Sequence, residues 1–436
     1  MAAFPGNAQA CAGLAGVILL LATGCGARHS DGPRHSHGPR AVHSGTAPAR
    51  PGRKATGYVK RADFLTGVAC TSTRACVAVG SYYYGAGPSL ALAVRWNGRA
   101  WQAEPTPSRG NSQLSGVSCA SAVSARGSTP PPRGQAPGPH GPGTPRWPQR
   151  PHDFVTGALT SCVALGTPAE AWNGARWAVI PAAGPMSSLS CTGPASCQAV
   201  GPPDGRRPVA AHWDGRTWQA EPVPRLRPAP QTLVLASVSC TSAAFCMAVG
   251  DASRGAGAQP SPAYRDITLA AMGNGSRWRT AVTPSPSRAG ELSGVSCTSP
   301  TACTAVGSAA SGGRTLAERW NGVRWAVQRT PNAGRTGYTV LTAVSCASPT
   351  ACTAVGDYNG GVFGIAEHWN GARWTIERLP VPPGAPGEDP LVVPAGVSCI
   401  TATACVTVGT TQNQTLAEAW NGSRWTVQPT PDPLSA

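Results

Sequence analysis

The residues with the most evident chemistry are sixteen cysteines, and fourteen of them fall into pairs. Cys70/Cys76, Cys191/Cys197, Cys240/Cys246, Cys297/Cys303, Cys346/Cys352 and Cys399/Cys405 each enclose five residues. Cys119 and Cys162 read as the same pair, interrupted by a long insert. Zinc ligands usually stand two to four residues apart with two more close by, and neighbouring pairs here fall on separate repeats. No metal site is therefore expected. The spacing fits a disulfide that staples two strands across a short turn, stabilising each hairpin by about 2 kcal/mol through loop closure. Of the two remaining cysteines, Cys11 sits in a leader and Cys25 just behind it, so no thiol is left over.

Other chemistry-bearing types recur in step with the cysteines. Glu170, Glu318, Glu367 and Glu418 each lie two residues before a tryptophan, and Arg176, Arg324, Arg373 and Arg424 each precede a second one. Their joint occurrence predicts an ion pair inside each blade; a ring of acids at a channel mouth is the alternative. An enzyme needs asymmetry, such as two convergent carboxylates or a nucleophile with its base. Acids outside the repeat are few, chiefly Asp204, Asp251, Asp266, Asp357, Glu377, Glu388 and Asp389. His212 and His368 occupy framework positions beside tryptophans. There is no serine elbow, metal triad, phosphate loop or sialidase-type aspartate box. No cofactor and no catalysis are expected.

Recognition is easier to place. The segment after each xAVG varies most, and variable loops on a rigid scaffold carry binding. It reads SYYYGAGPS in the first unit, offering Tyr82, Tyr83 and Tyr84. In the sixth it reads DYNGGVFG, offering Asp357, Tyr358, Asn359 and Phe363. With one unit between them on a closed ring, these residues are expected to form one patch suited to a sugar or a peptide.

The elements that must position these residues repeat about every fifty residues once the insert is removed. Each unit has four short alternating runs, such as LSGVSC, CTAVGS, TLAERW and RWAVQ, and no helical periodicity. WNGxxW joins the last two runs; Asn-Gly is a strong hairpin cue because both residues tolerate positive φ. Both tryptophans then share one face and pack on the next unit. Four strands at this period is the size of a propeller blade. The unit VSCxSxxxCxAVG…LAexWNGxxW resembles the repeats of secreted actinobacterial proteins. That resemblance implies a bladed β architecture and an extracellular setting, and no activity.

The expected fold is an all-β, seven-bladed β-propeller with four-stranded blades and one disulfide per blade; an open solenoid or two smaller propellers are the alternatives. Ala55 to Val59 are candidates for a clasping strand. The insert at 122–156 is too rich in Pro and Gly to pack, and its Trp147 lies outside the repeat. Upstream, AGLAGVILLLAT followed by Leu21-Ala22-Thr23-Gly24-Cys25 resembles a lipoprotein signal, with Cys25 lipidated. An ordinary secretory leader would leave Cys25 free.

The chain thus divides into a leader (1–24), a Gly/Pro/His-rich basic tether (25–60) and a propeller (61–432). The tether carries much of the formal charge of +16 and would be drawn to anionic lipid. Its histidines, His29, His35, His37 and His43, are at most a weak metal site. With the basic excess on tether and insert rather than on a folded face, nucleic acid is not an expected partner. The expected protein is an exported monomer, held at the outer face of the membrane by lipid or secreted. It would bind a cell-surface glycan or protein. A carbohydrate-active enzyme using the channel and a mechanical wall spacer are the alternatives.

Overall fold

In the computed structural model the described residues are 61–120 and 161–431, apart from short stretches at 86, 108–109, 202–208, 225, 227–229, 231, 255–264, 287–288, 311–312, 334–336 and 383–389. The leader, Cys25, the tether, the clasping-strand candidates and the insert fall outside them.

Among the described residues twenty-eight strands form seven antiparallel sheets, each built from four consecutive strands. Blade 1 holds β1 (Arg61–Ser72), β2 (Ala75–Tyr84), β3 (Leu90–Trp96) and β4 (Trp101–Glu104), and blade 2 holds β5 (Gln113–Ala120), β6 (Ser161–Thr167), β7 (Ala169–Trp172) and β8 (Trp177–Ile180). Blade 3 comprises β9 (Ser188–Gly193), β10 (Ser196–Gly201), β11 (Val209–Trp213) and β12 (Trp218–Pro222); blade 4 comprises β13 (Thr232–Ser242), β14 (Phe245–Arg254), β15 (Arg265–Gly273) and β16 (Trp278–Val282). Blade 5 runs through β17 (Gly290–Ser299), β18 (Ala302–Ala309), β19 (Arg314–Trp320) and β20 (Trp325–Gln328). Blade 6 has β21 (Thr339–Ser348), β22 (Ala351–Tyr358), β23 (Phe363–Trp369) and β24 (Trp374–Arg378), and blade 7 has β25 (Val392–Thr401), β26 (Ala404–Thr411), β27 (Gln414–Trp420) and β28 (Trp425–Val427).

The first strand of each blade lies against the first strands of its two neighbours, and β1 meets β25, so the ring is closed. The seven-bladed expectation holds. Among the described residues no strand is exchanged at the closure: blade 1 and blade 7 each have four strands of their own.

What closes the ring is a repeated seam. The serine before the first cysteine of one blade accepts the backbone N–H of the matching cysteine in the next. Ser190 receives Cys240 at 2.9 Å, Ser239 receives Cys297 at 3.0 Å, and Ser345 receives Cys399 at 2.9 Å. Ser398 of blade 7 receives Cys70 of blade 1 at 3.0 Å. The seam breaks only from blade 1 to blade 2, where Ala69 replaces the serine. Small residues make the approach possible: a Cβ on Gly67 would stand 3.1 Å from the Cα of Gly116, and one on Gly294 3.1 Å from the Cα of Ala343. The glycine of xAVG has a different cause. A Cβ on Gly307 would collide with the carbonyl of Glu291, where a bulge in β17 presses that strand onto β18.

Between the sheets lie seven apolar cores, one per interface. One joins Val408 and Ala417 of blade 7 to Leu65, Val68 and Trp101 of blade 1. Another joins Val355, Ala366 and Leu379 of blade 6 to Val397 and Trp425 of blade 7. The second tryptophan of each unit therefore packs on the preceding blade, not on the next one, and its indole N–H often reaches that blade too. Trp101 donates to Gln428 at 2.9 Å and Trp374 to Gln328 at 3.0 Å. The tryptophans of a unit are paired across the hairpin, as Trp96 with Trp101, their rings 5.8 Å apart.

The turn between them works otherwise than a two-residue Asn-Gly turn. Only the glycine takes positive φ, +91° at Gly98 and +94° at Gly422. The asparagine instead accepts two backbone N–H groups through its side chain, Asn97 from Arg99 at 2.9 Å and from Ala100 at 3.0 Å. Asp214 replaces Asn in blade 3 and accepts the same pair of bonds.

All seven expected disulfides are present: Cys70–Cys76, Cys119–Cys162, Cys191–Cys197, Cys240–Cys246, Cys297–Cys303, Cys346–Cys352 and Cys399–Cys405. Their Cα atoms lie 3.9–4.0 Å apart; six bonds close a separation of six residues, and Cys119–Cys162 one of 43. Seven such bonds suit an oxidising, extracellular environment.

In one respect the cysteines depart from the expectation of a staple confined to its own hairpin. The second cysteine of every pair, namely Cys76, Cys162, Cys197, Cys246, Cys303, Cys352 and Cys405, is buried in the core between blades, whereas the first is only half-buried. Cys76 packs with Val406 and Val408 of blade 7, Cys352 with Val306 and Ala317 of blade 5, and Cys405 with Val355 and Ala366 of blade 6. The sulfur of Cys352 lies 3.6 Å from the Thr304 hydroxyl of blade 5, and that of Cys405 3.4 Å from the Thr353 hydroxyl of blade 6. The reason is strand alternation: the second cysteine opens the second strand of its blade, opposite the first tryptophan, and shares the face that meets the preceding blade. Each disulfide is thus both a hairpin staple and a packing group of the seam.

Loop entropy still distinguishes the bonds. Removing Cys297–Cys303 as a double serine variant should cost about 2 kcal/mol in loop closure, and removing Cys119–Cys162 about 4 kcal/mol. Each variant replaces one buried and one half-buried sulfur, so the packing loss is similar and drops out of the difference. Guanidinium unfolding midpoints compare the two directly, and a larger loss from the short loop would refute the loop-closure account.

Candidate functional site

The four-stranded blades divide the chemistry between two faces. One face carries the disulfide turns and the WNGxxW turns. The other carries the variable loops after xAVG and the connections between blades.

On the loop face, blade 6 holds Tyr358 and Phe363 directly opposite each other at the ends of β22 and β23. Their rings stack at 5.1 Å and 21°, with the Arg378 guanidinium 5.4 Å and 5.6 Å from the two ring centres. Asn359 takes φ of +61°, and its N–H donates to the carbonyl of Tyr338 at 2.7 Å. Tyr338, 44% exposed, joins this cluster from the preceding connection and was not among the sequence candidates. Asp357 is buried, and that burial pushes its carboxyl up to about 6, opposed by a backbone hydrogen bond from Gly361.

Blade 1 supplies a second cluster. Tyr83 lies 6.2 Å from Phe64, Tyr84 is 52% exposed, and Tyr82 packs into the core shared with blade 7. The single patch expected from the sequence is instead two clusters with blade 7 between them. That blade has the tightest loop of the three, a two-residue turn with Gln412 and Asn413 at φ of +46° and +67°. The Asn413 carbonyl accepts the N–H of Asp63 at 2.9 Å, tying the turn to blade 1. The longer loops of blades 6 and 1 flank it.

A group of acids lies at the boundary of blades 4 and 5 on the same face. Burial raises Asp251 to about 7, with Glu291 and then Asp266 adding repulsion. Burial also raises Glu291, against the hydrogen bond it accepts from Ser308 at 3.1 Å. Ser253 donates to Asp266 at 2.7 Å. Glu291 opens a repeat (GELSGVSC) and drew no notice in the sequence. Among the described residues no cluster of three ligand types has the arrangement of a metal site.

The expected ion pairs do not form. Glu170, Glu318, Glu367 and Glu418 have no exposed surface, whereas Arg176, Arg324, Arg373 and Arg424 stand exposed in the turns. The acid sits in the third strand of its blade and the arginine in the turn that follows, in different environments. The carboxylate faces the preceding blade, and the arginine contributes backbone alone, as Arg324 does in donating its N–H to the Asn321 side chain at 2.9 Å and accepting the Asn321 N–H at 3.3 Å. The acids do not ring the channel mouth either. Glu318 accepts from Thr268 of blade 4 at 3.1 Å. Thr315 of blade 5 faces Glu367, but its hydroxyl already engages Thr330 at 2.9 Å and the Pro331 carbonyl at 3.1 Å. At the matching place in blade 6 stand Gly364 and Leu379, and Glu418 has no hydrogen-bond partner for either oxygen among the described residues. Burial raises Glu318 to about 7 and Glu367 and Glu418 to about 8.

His368 is likewise a framework group. It stacks on Trp420 at 4.4 Å and lies 3.1 Å from the Thr353 hydroxyl, and burial pushes its pKa down to about 4. The central channel, of about 260 Å³, is lined by residues such as Thr66, Ser115, Ser237, Ser293 and Thr342 together with Gly, Ala, Val and Leu, and among the described residues by no titratable group.

No family model and no curated protein matches the chain. Among solved structures it is similar to YCF48 from Cyanidioschyzon merolae, with 14% identity over 82% of this chain and 98% of that one and a TM-score of 0.48. It is also similar to the fucose-specific lectin from Aleuria aurantia, with 10% identity over 87% and 98% and a TM-score of 0.43. The GH74 xyloglucanase from Xanthomonas campestris shows 12% identity over 85% of this chain and 56% of that one, with a TM-score of 0.44. These are likenesses of architecture.

The buried acids give a pH dependence of fixed sign. Glu367 and Glu418 titrate near 8 when folded and near 4.5 when unfolded, so their stabilising contribution is complete below about 4.5 and is lost as pH rises through about 8. Thermal unfolding should therefore occur at lower temperature at pH 9 than at pH 6. Glu367→Gln and Glu418→Gln should each recover at least about 1 kcal/mol at pH 9 while changing little at pH 5. A pH profile unaltered by both substitutions would contradict the assignment.

Proposed function

We propose that this protein is an exported, surface-held binding module whose loop face takes a glycan over the short turn of blade 7. The observation that carries this reading is the pair of aromatic clusters, Tyr358/Phe363 under Arg378 and Phe64/Tyr83/Tyr84, on either side of that turn. Aromatic faces stack on the C–H faces of sugar rings, while nearby amides and hydroxyls bond the sugar hydroxyls. Asn359 and Asn413, both exposed, are placed for the second task. Lipidation at Cys25 would hold the propeller at the outer membrane surface, with the basic tether adding electrostatic attraction.

A second reading draws on the acids at blades 4 and 5. A carboxyl held protonated near neutral pH beside other carboxylates is the pairing that glycoside hydrolysis uses. The channel wall offers no such pair, so a hydrolase would work at this rim.

A glycan and peptidoglycan-fragment array on the full chain separates these ideas. Binding should appear, and Tyr84→Ala combined with Tyr358→Ala should weaken it by about tenfold or more. Capture of a cell-surface protein with every glycan left unbound would remove the sugar reading. Release of reducing ends from a bound polysaccharide, abolished by Asp251→Asn or Glu291→Gln, would favour the hydrolase.

A further inference from the structure

Each WNGxxW turn, all at the same end of their blades, carries one arginine: Arg99, Arg176, Arg216, Arg277, Arg324, Arg373 and Arg424. All are exposed, and among the described residues none of their guanidinium groups has a hydrogen bond or an ion pair. Arg74 adds an eighth exposed charge from the disulfide turn of blade 1. The one acid in these turns is Asp214, whose carboxylate is occupied by the N–H groups of Arg216 and Thr217.

The fold does not require these side chains. The turn is built by the asparagine side chain, the glycine and backbone bonds, and the arginine position contributes only main chain. In blades 1 and 3 the arginine is the third residue of the turn and elsewhere it is the fourth, yet every turn has one. A local contact would fix the position; here the charge is kept while the position shifts.

The geometry points to this face as a docking surface for an anionic phospholipid bilayer. Charges spread around a ring on one end of the molecule match a planar array of phosphates, whereas a linear polyanion would meet only an arc of them. The same end shows the half-buried tryptophans Trp96, Trp320, Trp369 and Trp420, and Val323, 83% exposed at a turn tip. Arginine, tryptophan and an exposed aliphatic side chain are the composition of a membrane-interface surface. Docked this way, the propeller presents its loop face outward. Exposed basic charge therefore also stands on a folded face, besides the tether and insert where the sequence reading placed the excess.

The test uses the full chain with its disulfides intact and Cys25→Ser, so that no acyl chain contributes. Cosedimentation is measured with phosphatidylcholine vesicles with and without about 30 mol% phosphatidylglycerol, at about 50 mM salt. The chain should bind the anionic vesicles more tightly, and Arg324→Glu/Arg373→Glu/Arg424→Glu should weaken that binding about 100-fold. Tyr84→Ala with Tyr358→Ala should leave it unchanged, which separates this docking from the glycan site. The triple variant binding as well as the parent would overturn the proposal, assigning any attraction to the tether or the insert. No preference for anionic vesicles would also overturn it, as would duplex DNA competing on equal terms.

Discussion

Seven inner strands packed side by side around an axis constrain everything else in this molecule. At every seam but that from blade 1 to blade 2, where Ala69 stands, they come close enough for a serine hydroxyl to accept the N–H of the neighbouring cysteine residue, which leaves room only for Gly, Ala or Ser on the facing backbone. Gly67 against Gly116 and Gly396 against Gly67, at 3.1 Å and 3.3 Å to a hypothetical Cβ, mark the limit. The closure from blade 7 to blade 1, through the Ser398–Cys70 bond, uses the same kind of serine–cysteine contact and the same kind of apolar core as other seams, between blades that each have four strands of their own. The disulfides act one level lower, fixing each first hairpin so that its serine and its N–H are presented at the right height.

The seams are not uniform, and their departures say where polar chemistry was accommodated. Thr268 of blade 4, paired with Thr283, gives the buried Glu318 of the next blade a hydroxyl, whereas the matching Thr315 of blade 5 spends its hydroxyl on Thr330 and leaves both oxygens of Glu367 without a hydrogen bond among the described residues. Blade 7 offers the same pair, Thr415 with Thr430, but blade 1 answers with Val94. Blade 6 offers Gly364 and Leu379, and Glu418 sits there as a neutral acid in apolar surroundings. Acid, hydroxyl and aliphatic residues thus exchange at one structural position without disturbing the ring, since protonation removes most of the cost of burying a carboxyl.

Much of the architecture was legible in the sequence because repetition turns local signals into global ones. Cysteine spacing, the xAVG glycine and the WNGxxW turn together define one blade, and seven copies define the closure. What the sequence could not convey was direction. Glu318 and Arg324 are six residues apart on one hairpin, and only the structure reveals that the first points into the seam and the second into solvent. The same holds for the cysteines, whose spacing predicts a bond but not that Cys352 and Cys405 turn their sulfur toward a threonine of the preceding blade. The aromatic candidates were found because they interrupt the repeat. Tyr338 and Glu291 were missed because they sit where connections between blades begin or end, and their neighbours there come from another blade. The two-residue turn of blade 7, which divides the expected patch in two, followed from loop length, a cue available in TTQNQT.

The two faces complement each other: uniform, basic turns on one end, and loops differing in length, aromaticity and acidity on the other. A scaffold of this kind separates attachment from recognition, provided that the ring closes through the inner seam. Amide hydrogen exchange at the first cysteine of each blade reads that seam most directly. The Cys70 amide, bonded to Ser398 across the closure, should be protected like those of Cys240 and Cys297, while the Cys119 amide, facing Ala69, should exchange faster. A Cys70 amide exchanging as quickly as that of Cys119 would mean that blades 7 and 1 are not joined as described.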